Sequence, residues 1–88
     1  MTRTYNIEIE KPALKSLKKL DKPVRTRVVD AINGLATSPR PSGVKALVGS
    51  GFLRIRVGDY RIIYEVHDDR LVVVVIELGH RSDIYRDL

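Results

Sequence analysis

Residues 53–64 read Leu-Arg-Ile-Arg-Val-Gly-Asp-Tyr-Arg-Ile-Ile-Tyr. Apolar and basic residues alternate as far as Val57, and only Gly58 and Asp59 separate this run from a second extended segment. A Gly-Asp pair suits a two-residue primed turn, whose twist matches that of the flanking strands. Such a turn sets Val57 opposite Tyr60 and fixes the register. Arg56 then faces Arg61, Ile55 faces Ile62, Arg54 faces Ile63, and Leu53 faces Tyr64. Because successive side chains point to opposite faces of a strand, one face collects Leu53, Ile55, Val57, Tyr60, Ile62 and Tyr64. The other collects Arg54, Arg56 and Arg61. The first face suits packing against helices.

The second face has two readings. Like charges directly opposite one another destabilise a sheet, so the arginines either splay apart on a solvated surface or gather to hold an anion. No carboxylate interleaves them: the nearest acid on this face is Glu65, and Asp59 sits in the turn itself.

Working outward, His67-Asp68-Asp69-Arg70 reads as a similar tight turn, which would pair Val66 with Leu71 and Arg61 with Ile76. The strand that follows, LVVVVI from Leu71 to Ile76, is apolar on both faces, as a strand covered on both sides should be. Something must then cover the arginine face near Val72 and Val74, either the C-terminal tail or a bound partner. Gly79 lets the chain bend, and the tail GHRSDIYRDL can fold toward the arginines. In a helical turn over residues 81–86, Arg81 and Tyr85 lie four apart and share a face.

Toward the N-terminus, residues 4–9 (TYNIEI) alternate as a strand with Tyr5, Ile7 and Ile9 on one side. Pro12 suits a first helical position, and Ala13, Leu14, Leu17 and Leu20 form a narrow apolar stripe among lysines. Asp21 before Lys22-Pro23 marks the end of one helix and the capping of a second. Val24, Val28, Ala31, Ile32 and Leu35 recur at helical spacing, so Asn33-Gly34 is read as helix rather than as a hairpin turn. TSPRPSG (37–43) is a loop, and strands follow at about 52–57, 60–67 and 70–78. The order β-α-α-β-β-β predicts an α+β domain: an N-terminal helical hairpin packed on a mostly antiparallel, twisted sheet, with a short C-terminal helical turn.

Eighty-eight residues, 43% of them hydrophobic, make one domain spanning 1–88. Without cysteine there is neither a disulfide framework nor a cysteine-bound metal, and His67 and His80 match no metal-site spacing. No metal or other cofactor is expected. The longest apolar run is too short to span a bilayer, and the N-terminal MTRTYNIEIEK lacks the apolar stretch of a signal peptide. A cytoplasmic protein without membrane contact is expected. Sixteen Lys and Arg against eleven Asp and Glu give a net charge of +5, compatible with nucleic acid, an anionic surface or an acidic protein partner.

The helix ALKSLKKL, the SPRP segment, KAL, LRIRVGDYRIIYEV, the apolar strand and the closing GHRSDIY together resemble the RelE toxins of the RelE/ParE superfamily of type II toxin–antitoxin modules. GDYRIIY and GHRSDIY are the specific parts, and the likeness runs over nearly the whole chain. It implies an mRNA interferase: a ribosome-dependent, metal-independent endoribonuclease that cuts messenger RNA in the A site by attack of a ribose 2′-hydroxyl on the adjacent phosphate. The family's basic strand residues fall on Arg54 and Arg56, its arginine after the turn on Arg61, and its C-terminal arginine and tyrosine on Arg81 and Tyr85. Some RelE members carry lysine where this chain has Arg54 and Arg56, and some separate the last arginine and tyrosine by more residues. The implied partners are a RelB-like, acidic antitoxin, messenger RNA and the 70S ribosome, with operator DNA bound only through the antitoxin.

The residue chemistry is compatible with this activity. Guanidinium groups bind phosphate oxygens bidentately, so Arg54, Arg56 and Arg61 can stabilise a phosphorane. Tyr85 takes the place of the general base. Ionising a tyrosine at pH 7 costs about 4 kcal/mol, of which one cation about 6 Å away offsets up to roughly 3 kcal/mol at an effective dielectric of about 20. Arg81, which the resemblance sets nearest the leaving oxygen, is a poor proton donor and is assigned charge stabilisation, with general-acid action left open. His80 is a candidate accessory acid, although a simple hydrogen bond at the bend is the reading its position favours. Lys11, Lys15, Lys18, Lys19 and Lys22 form a solvated helix face that can also meet ribosomal RNA phosphates. Two other functions fit the same fold: a ParE-like poison of gyrase, and an inert module that binds phosphate without turnover.

Overall fold

The computed structural model describes residues 4–80. Its elements run β1 (Asn6–Ile9), α1 (Lys11–Lys18), α2 (Lys22–Gly34), β2 (Lys45–Ala46), β3 (Leu53–Val57), β4 (Tyr60–His67) and β5 (Val72–His80). The strands form one sheet in the order β1-β5-β4-β3-β2, antiparallel except where β1 lies parallel to β5. A parallel pair needs a crossover, and the two helices lie on the path from β1 to the rest of the sheet.

Each helix starts with a proline in its first turn, behind an extended Glu10 or Asp21. The proline has no N–H to lose there, and its fixed φ is already helical. Lys15 and Lys18 place positive charge in the last turn of α1, against the negative end of its dipole. The helices bury Ala13, Leu17, Val28 and Ile32, and with Leu35 these meet Ile55, Ile62, Tyr64, Val73, Val75 and Leu78 from the sheet. Helical spacing at Asn33-Gly34 therefore outweighs its hairpin-like sequence: α2 continues through both residues.

The first hairpin has the register that Gly-Asp dictates, with Val57 opposite Tyr60 and Leu53 opposite Tyr64. The second does not have the register expected. Val66 pairs with Val73 rather than Leu71, and Arg61 with Gly79 rather than Ile76. Two physical causes account for the shift. Residues 68–71 form a wider connection in which Leu71 adopts a positive φ of 53°, with Asp68 held by Tyr5 and Arg40 and the Leu71 carbonyl engaged by the Asn6 amide at 2.8 Å. A bulge then interrupts the ladder between Ile63 and Tyr64, whose partners are Glu77 and Val75. Strict alternation would turn Glu77 inward and Leu78 outward. The extra residue, Ile76, keeps Val73, Val75 and Leu78 all in the core. The strand β2 adds an element to the expected order.

No helix among the described residues is long and apolar enough to cross a membrane.

Candidate functional site

Ile55, Ile62 and Tyr64 belong to the helix-side core, so their neighbours Arg54, Arg56, Arg61 and Ile63 project from the opposite face. Arg56 and Arg61 occupy one ladder pair, and Arg54 stands opposite Ile63 in the next row on that face. Gly58, at φ +59°, makes the reversal that brings them together. The environments differ: Arg61 is only 3% exposed, Arg54 is half-buried and Arg56 is exposed. Two guanidinium groups on neighbouring strands together attract an anion, and the strand backbones hold them side by side. An arrangement of this kind is preorganised for a phosphate-like charge.

Lys45 extends the basic row. It pairs with Arg54 across the short β2–β3 ladder, and its side is exposed. Beyond the two residues of β2 no described strand pairs with the edge of β3, and a groove of about 610 Å³ opens there. Its walls include Gly34 and Leu35 from the end of α2, Ser42 from the following loop, and Lys45, Arg54 and Arg56. The loop is pinned from behind. Arg40 donates to both Asp68 oxygens at 3.1 and 2.9 Å, Tyr5 donates to the same carboxylate at 2.6 Å, and the Tyr64 hydroxyl donates to the Pro39 carbonyl at 2.7 Å. The hydrogen bond to Asp68 raises the Arg40 pKa. Burial pushes the Tyr64 phenol up to about 12, so it stays a neutral donor.

Of the residues singled out by sequence, Arg54, Arg56 and Arg61 come together as expected. His80 does not join them. It pairs with Tyr60 on the helix-side face, its ring 5.4 Å from the tyrosine ring and at 89° to it. Lys11, Lys15, Lys18, Lys19 and Lys22 are all exposed and belong to the helical layer, across the sheet from the arginines. Arg81 and Tyr85 lie outside the described residues. Lys45 and the Tyr5–Asp68–Arg40 cluster were missed. A two-residue strand gives no periodic signal, and partners this far apart in sequence leave no local pattern.

This architecture is shared with solved toxins. The RelE–RelB complex of Pyrococcus horikoshii superposes with a TM-score of 0.80 at 33% identity, covering 90% of this chain and 97% of that chain. Toxin RelG of Mycobacterium tuberculosis is 31% identical over 93% of this chain and 97% of its own. The mRNA interferase toxin RelE of Escherichia coli K12 is 29% identical, covering 94% and 92%. These likenesses make the chain a type II toxin. The family model of the ParE toxin of type II toxin–antitoxin systems matches residues 7–85. The chain belongs to that family.

Proposed function

We propose that this toxin is a ribosome-dependent endoribonuclease that cuts messenger RNA in the A site. The observation that carries the reading is the Arg56–Arg61 ladder pair, with Arg54 beside it, on the sheet face left open by the helices. The relative named an mRNA interferase aligns over nearly the whole chain. In the reaction a 2′-oxygen attacks the neighbouring phosphorus, its proton passes to a base, and the 5′-oxygen leaves with a proton taken from solvent water. The products are a 2′,3′-cyclic phosphate and a 5′-hydroxyl end. Arg54, Arg56 and Arg61 stabilise the phosphorane charge, Tyr85 takes the 2′ proton, and Arg81 stabilises the leaving oxygen. The position of His80 against Tyr60 favours a packing role for it.

A RelB-like acidic antitoxin neutralises the basic chain, and operator DNA is bound through that antitoxin. The exposed lysines of the helical layer supply sequence-independent attraction to ribosomal RNA. Because the family model carries the ParE name, a gyrase poison is the second reading. It gives no role to three arginines on one face.

Tight-promoter expression with mapping of RNA ends on translated messages, alongside Arg61→Ala and Tyr85→Phe, separates the readings. A-site-phased cuts lost in both variants are the expected result. Growth arrest with intact messages and DNA damage would establish the gyrase reading, and tight antitoxin binding without arrest an inert module.

A further inference from the structure

The register lines up Lys45, Arg54, Ile63 and Glu77 in one row across four strands of the arginine face. The row begins basic and ends acidic. At its acidic end lies a cleft of about 530 Å³, lined by Leu47, Val48 and Phe52 from the β2–β3 connection and by Ile63, Ile76 and Glu77 from the sheet. The connection is closed by the Leu47 amide on the Phe52 carbonyl at 2.9 Å. Val48 is fully exposed at its tip, while Ile63 is 6% exposed at the base of the cleft. The bulge beside Ile76 is what turns Glu77 to this face. Among the described residues, no hydrogen bond or ion pair engages its carboxylate.

Glu77 and Arg61 are diagonal neighbours, since Arg61 pairs with Gly79. Such positions lie about 7–8 Å apart, within reach of a single nucleotide. A phosphodiester held by the guanidinium groups carries, one sugar away, a planar group with apolar faces and a polar edge. The cleft offers apolar walls for the faces and, in Glu77, a carboxylate acceptor for the edge. An apolar protein segment seated here would instead bury the carboxylate without a partner, which is costly.

We propose that this cleft is a nucleobase subsite and that Glu77 is a specificity-determining residue. Resting on the nuclease reading above, the proposal adds which base is admitted beside the cut. Phe52 and Ile63 take the ring face, as single-stranded bases commonly stack on such side chains. The Glu77 carboxylate accepts from an exocyclic amino group, present on adenine, cytosine and guanine. Uracil has none, and its single edge donor, N3–H, lies between two carbonyl oxygens that repel the carboxylate. A glutamine would relax the choice, because its amide also donates.

The test compares wild type with Glu77→Gln in two measurements. One maps cleavage ends on translated messages by the base flanking the cut. The other measures binding of the isolated toxin to short single-stranded RNAs that differ by one cytosine-to-uracil change. The expected result is discrimination against uracil in wild type that falls about tenfold in the variant, the size of one good base-edge contact. An unchanged base profile and an unchanged cytosine-to-uracil affinity ratio would overturn the proposal. So would a variant that loses antitoxin affinity and keeps its base profile, marking a protein-docking cleft. If wild type cuts nothing, the nuclease reading falls, and the affinity ratio alone decides the subsite.

Discussion

Arg56 and Arg61 stand directly opposite one another across the Gly58-Asp59 turn, two positive charges at a position where sheets favour complementary pairs. A sheet built only for stability would not choose this pairing. Arg56→Ala should therefore leave the folded toxin as stable as wild type, or more stable by up to about 1 kcal/mol. Under the proposed chemistry the same change should lower cleavage about 100-fold or more, the usual cost of removing one preorganised charge-stabilising group. Urea unfolding and message cleavage, measured on one preparation, check both halves.

Gly58 sits at φ +59°, and an added Cβ would meet only the end of the Arg27 side chain at 3.3 Å. That side chain can move, so the backbone conformation sets the cost. Gly58→Ala should destabilise by about 1–2 kcal/mol, and Gly58→Val by more, because a branched residue resists positive φ. Gly58→Asn should lie closest to wild type. The ranking, read from denaturation midpoints, is the check.

Asp68 ties three distant parts of the chain together by accepting from Tyr5 and Arg40. The Arg40 pair is half-exposed, at 51% for each side chain, so most of the value lies in the partly buried Tyr5 contact. Asp68→Ala should cost about 1–2 kcal/mol. A double-mutant cycle with Arg40→Ala should return a coupling of about 0.5–1 kcal/mol that shrinks with added salt.

Tyr64 supplies a pH signature. Its folded pKa is raised from 10 to about 12 by burial, so the folded state keeps a proton that the unfolded chain releases between these values. Its contribution to stability is fully present below about pH 10. It is lost as pH rises toward 12, at up to about 1.4 kcal/mol per unit. Tyr64→Phe should remove this part of the alkaline slope and cost about 1 kcal/mol at neutral pH, since the Pro39 carbonyl loses its donor. Unfolding free energies of both proteins, measured from pH 8 to 12, decide it.

The first hairpin was legible because a two-residue turn leaves one register, and the alternation of residues 53–57 then sorts every side chain to a face. The helices were legible because Val28, Ile32 and Leu35 recur at their proper spacing. The second hairpin was not. Its connection is fixed by what Asp68 and Leu71 bind elsewhere in the molecule, and its bulge by the need to bury Leu78. Tertiary contacts chose both, and neither leaves a mark in the local sequence. The same bulge moved His80 to the Tyr60 side and set Glu77 beside the arginines, so the least legible part of the fold also redrew the edge of the site.

The parallel pairing of β1 with β5 has a consequence for biosynthesis. Asn6 leaves the ribosome ahead of both helices, yet its partner Val72 follows only after those helices and three other strands have been made. During vectorial synthesis the nascent chain therefore holds an unclosed sheet, its helix pair facing an incomplete core. Closure waits for residues 72–80 to clear the exit tunnel. A protein proposed to attack translating ribosomes thus completes its fold only after residues 72–80 have emerged, which opens an interval for capture.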